Sequence, residues 1–124
     1  TNHRMNDEVY AQRKRAMNYV YEASRLCKNH LPRIEVRIGE PYDKHILGYG
    51  LIGQCVIWIS DNSLKHCEQY LRQVVLHEIL HAAFSTKHHD GCPLMRPTIK
   101  LADPEIITRA FLSHTKIVNM AIAV

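Results

Sequence analysis

The run His77-Glu78-Ile79-Leu80-His81 contains two histidines and a glutamate whose spacing suits a metal-dependent hydrolytic centre. Residues four apart on an α-helix lie one turn from each other on the same face, so the imidazoles of His77 and His81 could reach one metal ion. Glu78 would lie beside that face and contact a metal-bound water rather than the metal. The ion that this pattern predicts is Zn2+, which lowers the pKa of the water so that Glu78 can act as a general base during attack on a carbonyl carbon.

The residues around this run indicate that its helix is buried on most sides. Val74, Val75 and Leu76 precede the run, and Ile79 and Leu80 fill its gaps, so that no neighbouring position is charged. The alternative interpretation is a buried helix whose two histidines bond to polar groups of the core. Such a helix would leave several buried polar groups in need of partners, and a metal ion supplies them.

These residues must be positioned by the surrounding helices and strands. The sequence pattern of those elements predicts a single α+β domain spanning residues 1–124, without a linker. Apolar residues recur near the helical period in three segments and follow the pattern of strands in three others. The predicted elements are helix 7–29, strands 34–38, 45–52 and 55–59, helix 63–84, an irregular loop 85–103, and a helix that starts at Asp103-Pro104 and has Ile107, Phe111, Val118 and Ile122 on its apolar face. The order is therefore α-β-β-β-α-loop-α.

The segment from His77 to Pro97 reads HEILHAAFSTKHHDGCPLMRP. It resembles the catalytic segment of the metzincin peptidases, and most of all that of the matrixins, in which HExxHxxGxxH is followed by an aspartate and by a turn that ends in methionine-x-proline. Met95 and Pro97 lie at the matrixin distance from His81, and residues 103–112 (DPEIITRAFL) resemble the helix that follows the turn. The resemblance implies a small zincin-like fold, zinc peptidase activity, and a Met-turn in which Met95 forms an apolar floor below the metal.

Two positions depart from the family pattern and affect the third ligand. Phe84 stands where the family has the glycine that turns the chain out of the helix, and Lys87 stands where it has its third histidine. Lysine at neutral pH is a poor zinc ligand. We therefore expect a loop one residue longer, with His88 as the third ligand, His89 as the alternative and Asp90 as a weaker choice.

The four cysteines, Cys27, Cys55, Cys67 and Cys92, are far apart and form no CxxC pair. This spacing favours reduced thiols in a cytoplasmic protein, and two disulfides in a secreted product are the alternative. Cys92 lies between the expected third ligand and Met95, so it is a further candidate ligand. Cys55 would be a ligand in an arrangement of the peptide deformylase type, although its distance from His77 fits that family poorly.

The charge of the chain and its apolar runs indicate which partners to expect. The net charge is +4, but the basic residues are scattered apart from Arg13-Lys14-Arg15, which we interpret as the solvated face of a helix. We therefore do not expect nucleic acid as a partner. No apolar run approaches the length of about 20 residues that a membrane-spanning helix needs, and the N-terminus has no secretory signal, so no membrane partner is expected.

The function that the sequence favours is a zinc-dependent endopeptidase acting on a peptide or protein substrate. The substrate would add as a strand to the sheet edge at about His45 to Leu51, with Glu78 as general base and later as proton donor to the leaving amine. The alternatives are a zincin fold retained for binding or assembly without turnover, and a DNA-associated metallopeptidase.

Overall fold

The computed structural model describes residues 2–39 and 54–115, and the side chains of residues 7–39 and 55–115. Its elements are α1 (Asn2–Leu26), β1 (Arg33–Ile38), β2 (Gln54–Ile59), α2 (Asp61–Leu64), α3 (Glu68–Phe84) and α4 (Pro104–Thr115). These elements form a small α+β domain, which confirms the predicted class. The predicted strand 45–52, and Val118 and Ile122 of the last helix, lie outside the described residues.

Helix α1 follows the predicted helical period. Ala16, Val20, Ala23 and Cys27 recur every three or four positions and are buried. The helix ends at Leu26, three residues earlier than predicted, because the chain turns through the left-handed region at Lys28 and Asn29, with φ of 53° and 66°.

Strands β1 and β2 pair in parallel, with Arg33 opposite Gln54 and Ile38 opposite Ile59. Their alternation places Ile34 and Val36 of β1, and Ile57 and Ile59 of β2, in the core. Helix α1 packs against β1, and α3 packs against β2. The sheet therefore supports both α1 and α3, the helix that carries His77 and His81.

The prediction of one helix over residues 63–84 was wrong, because the structure has two helices there. The short α2 begins after Ser60, whose hydroxyl accepts a hydrogen bond from the Ser63 N–H at 3.1 Å. The Leu64 carbonyl then accepts from the Arg15 guanidinium at 2.9 Å, and α3 starts afresh at Glu68, whose carboxylate also binds Arg15. Arg15 was expected on a solvated face, but it ties α1 to the start of α3.

Helix α3 is the central element, since it packs against α1, α2, α4 and β2. The apolar residues that flank the histidines are fully or almost fully buried: Val74, Val75, Leu76, Ile79 and Leu80. The buried Gln73 side chain donates to the Lys100 carbonyl and accepts from the Ala102 N–H, at 2.7 and 3.1 Å. It therefore joins α3 to the chain that leads into α4.

Between α3 and α4 the chain forms only turns and bends, as predicted for residues 85–103. Helix α4 begins at Pro104, with the Asp103 carboxylate accepting from the Glu105 N–H at 2.9 Å. None of the helices in the described ranges combines the length and apolar character required to cross a bilayer.

Candidate metal centre

The histidines of α3 face each other one helical turn apart. His77 is only 4% exposed and His81 is half-buried. Their Nε2 atoms are 3.1 Å apart, and the two rings are nearly perpendicular, at 83°. The helical period thus brings the two imidazoles to one point, as the i, i+4 spacing predicts.

Backbone carbonyls hold the other nitrogen of each ring. The Leu94 carbonyl accepts a hydrogen bond from His77 Nδ1 at 2.7 Å, and the Thr86 carbonyl accepts one from His81 Nδ1 at 2.6 Å. A carbonyl oxygen can only accept, so Nδ1 carries the proton in both rings and Nε2 carries the lone pair of the neutral imidazole. Metal-binding histidines are commonly oriented by a bond of this kind.

Burial keeps both rings neutral. It is the main cause that lowers the pKa of His77 to about 4, and it also lowers the pKa of His81, with the nearby His88 adding to the effect. At neutral pH two lone pairs therefore face each other at 3.1 Å. A cation bound between them would convert this repulsion into attraction.

His88 supplies a third imidazole from the loop that follows α3. Its ring centroid lies 4.8 Å from that of His81 and 5.3 Å from that of His77, and the candidate ligand atoms of all three lie within 4.8 Å of one another. Nitrogens around a tetrahedral zinc ion are about 3.3 Å apart, so the group needs only a small contraction. His88 is exposed, so the cluster is buried at His77 and open to solvent at His88. These three residues could hold a metal ion.

The turn that leads to His88 comes directly after Phe84. Helix α3 includes Phe84, and Ser85 adopts the left-handed conformation with φ 53° and ψ 31°. The Thr86 N–H then bonds to the Leu80 carbonyl at 3.0 Å. After this turn His88, rather than Lys87, lies beside the pair on α3.

The neighbouring candidates lie outside the cluster. The His89 ring is exposed, and its Nδ1 accepts a hydrogen bond from the Gly91 N–H at 3.1 Å. The backbone N–H of His89 also donates to the Met95 carbonyl at 2.8 Å, and this hydrogen bond closes the loop between the two residues. Asp90 is exposed and is not part of the group.

The cysteine candidates make other contacts. Cys92 Sγ lies 3.2 Å from His114 Nε2, and the Cys55 thiol donates to the Ala82 carbonyl at 3.5 Å. All four cysteines are free thiols. Neither Cys92 nor Cys55 joins the histidine group among the described residues.

Glu78 is half-buried next to His77 in the sequence of α3. Burial raises the pKa of its carboxyl to about 7, and the carboxylate forms no hydrogen bond with another described residue. Met95 is completely buried and directly follows Leu94, whose carbonyl orients His77. Glu78 thus directly follows a member of the cluster in the sequence, and Met95 directly follows the residue whose carbonyl orients that member.

Sequence reasoning missed the groups that orient the cluster. The carbonyls of Thr86 and Leu94 leave no signal in the sequence, because any residue provides a carbonyl. Gln73 could have been found, since it is an amide on a helix face one turn before His77 where a buried apolar residue would otherwise stand. Comparison of the chain with protein-family models, curated proteins and solved structures gave no match.

Proposed function

We propose that this protein is a zinc-dependent endopeptidase. The observation that carries the proposal is the convergence of His77, His81 and His88, with Nδ1 of the two helical histidines already engaged by carbonyls and with the half-buried Glu78 next to His77 in the sequence. Three histidines and an open position are typical of catalytic zinc sites. The exposed side of the cluster, at His88, is where substrate would approach.

The nature of the donors favours zinc over hard cations. Three neutral imidazole nitrogens suit zinc and other late first-row metals, whereas magnesium and calcium prefer oxygen ligands. A zinc ion held here would polarise the scissile carbonyl and acidify a water molecule. Zinc is also the ion that the resemblance to the matrixins implies.

In this proposal Glu78 moves the proton. Its carboxylate would take a proton from the attacking water and deliver it to the leaving amine, so that one residue serves as base and then as acid. In the metal-free protein burial raises the pKa of this carboxyl to about 7, and the positive charge of a bound metal ion would favour the carboxylate form that a general base needs. His77 and His81 would remain neutral throughout, held by the Leu94 and Thr86 carbonyls.

Zinc analysis combined with digestion of a peptide library tests the proposal. We expect about one zinc per chain, and we expect Glu78→Gln to keep that zinc while its turnover falls by a factor on the order of 10²–10⁴. Glu105→Gln is the matched control, because Glu105 is an exposed residue of α4 paired with Arg109, and its turnover should equal that of the wild type.

Two outcomes would contradict the proposal. Unchanged turnover by zinc-loaded Glu78→Gln would remove Glu78 from the chemistry. A zinc-loaded wild type that cleaves no member of the library would favour the binding or assembly function instead. DNA binding that weakens steeply with salt would support the DNA-associated alternative.

A further inference from the structure

A thiol and an imidazole meet between the loop 85–103 and helix α4, outside the histidine cluster. Cys92 Sγ lies 3.2 Å from Nε2 of His114, although the two residues are 22 positions apart in the chain. Cys92 is buried, and His114 is half-buried near the end of α4. Either the thiol donates to a neutral Nε2 or an Nε2–H donates to the sulfur, so a hydrogen bond forms with both tautomers of the ring. The pair therefore ties the loop to α4 by a directional contact.

The loop segment that contains Cys92 is closed by two backbone hydrogen bonds. The His89 N–H donates to the Met95 carbonyl at 2.8 Å, and the Cys92 N–H donates to the His89 carbonyl at 3.1 Å. Pro93 lies between Cys92 and Leu94, and its ring fixes the φ angle of the chain at that position. A displacement of Cys92 is therefore not absorbed by a freely rotating residue, and it is passed on to Leu94.

Leu94 connects this segment to the metal centre through its carbonyl. That carbonyl accepts a hydrogen bond from His77 Nδ1 at 2.7 Å, and such a bond fixes the orientation of a metal-binding ring. Leu94 and Met95 are 1% and 0% exposed, so apolar burial sets how deep the segment lies in the core. Burial is non-directional, however, whereas the aim of a carbonyl depends on directional contacts. The hydrogen bond between Cys92 and His114 is a contact of this kind.

We propose that His114 is a positioning residue of the metal centre, and that it acts through Cys92 to orient His77. The path runs from Cys92 along the closed loop segment to the Leu94 carbonyl, and His114 itself is not part of the histidine group. Helix α4 thereby takes part in metal binding although it holds none of the three candidate ligands. This inference rests on the metal centre of the proposed function, but it does not depend on peptidase activity.

The expected effect of removing His114 is a loss of zinc affinity. Groups that orient a metal ligand typically change the affinity by about 10–100-fold when they are lost, and His114 acts one contact further away. We therefore expect His114→Leu, which removes the ring nitrogens, to weaken zinc binding about tenfold in titrations against a chromophoric chelator. His114→Gln should restore most of this affinity, because its amide can donate to or accept from the sulfur.

Tyr19→Phe is the matched control for the loss of a single side-chain hydrogen bond. The Tyr19 hydroxyl donates to Glu68 at 2.6 Å, at the first residue of α3 and outside the histidine group. This variant should therefore bind zinc as tightly as the wild type does.

A double-mutant cycle tests whether the thiol and the imidazole act together. Cys92→Ala should weaken zinc binding to about the same extent as His114→Leu, because each change removes the same hydrogen bond. The double variant should then lose no more affinity than either single variant. Losses that multiply to about 100-fold in the double variant would show that the two residues act separately, and they would overturn the proposal.

Nuclear magnetic resonance of the metal-free protein separates this inference from the proposed function. The Nδ1–H proton of His77 is buried and bonded to a carbonyl, so it should exchange slowly with water. It should exchange faster in His114→Leu, and at about the wild-type rate in His114→Gln and in Tyr19→Phe.

If the wild type binds no zinc, the proposed function fails, and the exchange rates alone decide whether His114 positions His77. Unchanged exchange in His114→Leu, no recovery in His114→Gln, or a loss of affinity in Tyr19→Phe equal to that in His114→Leu would each overturn the proposal.

Discussion

The histidine cluster joins two regions that are held in place in different ways. His77 and His81 belong to a helix packed on several sides, and a backbone carbonyl orients each ring. His88 belongs to an exposed loop, and its position depends on the left-handed turn at Ser85. The comparison shows that one half of the centre exists as soon as the core forms, whereas the other half depends on the register of a few loop residues.

The largest expected difference between the two regions is in the effect of removing their ligands. His77→Ala and His88→Ala should each weaken zinc binding by more than about 100-fold, because loss of a direct ligand exceeds the loss of a group that only orients one. His77→Ala should also destabilise the metal-free protein, since it leaves a cavity and an unpaired Leu94 carbonyl. His88→Ala should leave the stability of the metal-free protein nearly unchanged, because His88 is exposed.

Zinc titration measures the affinity for zinc, and chemical denaturation in the presence of a chelator measures the stability of the metal-free protein. His89→Ala is the matched control, since its ring accepts a hydrogen bond from the nearby Gly91 N–H and is not part of the histidine group, and it should change zinc affinity by less than about threefold. A larger loss for His89→Ala than for His88→Ala would mean that the loop register is one residue off.

The same contrast explains what could be predicted from the sequence. The helical period of α3 fixes the relation of His77 to His81, and its uncharged flanks correctly indicated burial. The break between α2 and α3 was not predictable in this way, because it depends on Arg15, which is 49 residues away from Leu64. The choice of His88 rested on the resemblance and the unsuitability of lysine, and the physical reason for it, the turn at Ser85, is a backbone conformation that serine adopts only rarely.

Gln73 connects the two regions, so its removal should have the second largest effect. Gln73→Leu keeps the volume of the side chain but leaves the Lys100 carbonyl and the Ala102 N–H without their partner. Denaturant unfolding should show a loss of about 2–4 kcal/mol. Gln69→Leu, which removes only one bond to the Ala102 carbonyl, is the control and should cost about 1 kcal/mol. Equal losses for the two variants would show that the buried amide is not the principal link.

The pH dependence of stability tests the burial of Glu78, which lies on the same helix as His77 and His81. The pKa of Glu78 is raised to about 7 in the folded protein, from a usual value near 4.5. Below pH 4.5 the carboxyl is protonated in both states and has no effect on stability. As the pH rises from 4.5 to 7 the unfolded chain loses this proton first, so the folded state loses stability, and the loss is complete above pH 7.

Glu78→Gln removes this titration. In metal-free protein the variant should therefore be about as stable as the wild type at pH 4.5 and more stable by about 1–3 kcal/mol at pH 8. Thermal unfolding of both proteins across this range, with Glu105→Gln as the exposed control, measures the difference. A stability gap that stays constant with pH would show that Glu78 is not buried in a way that resists ionisation.

The smallest expected effect concerns the turn that separates the two regions. Ser85 occupies the left-handed region with φ 53°, a conformation that costs an L-residue on the order of 1 kcal/mol and costs glycine little. Ser85→Gly should therefore stabilise the protein by a few tenths of a kcal/mol to about 1 kcal/mol, with zinc affinity unchanged, because the position of His88 depends on the turn and not on the serine side chain. Ser113→Gly, at an exposed position inside α4, should instead destabilise it by about 0.5–1 kcal/mol. If both glycine variants destabilise the protein equally, then Ser85 is not left-handed in solution, and the turn that brings His88 to the cluster lies elsewhere in the loop.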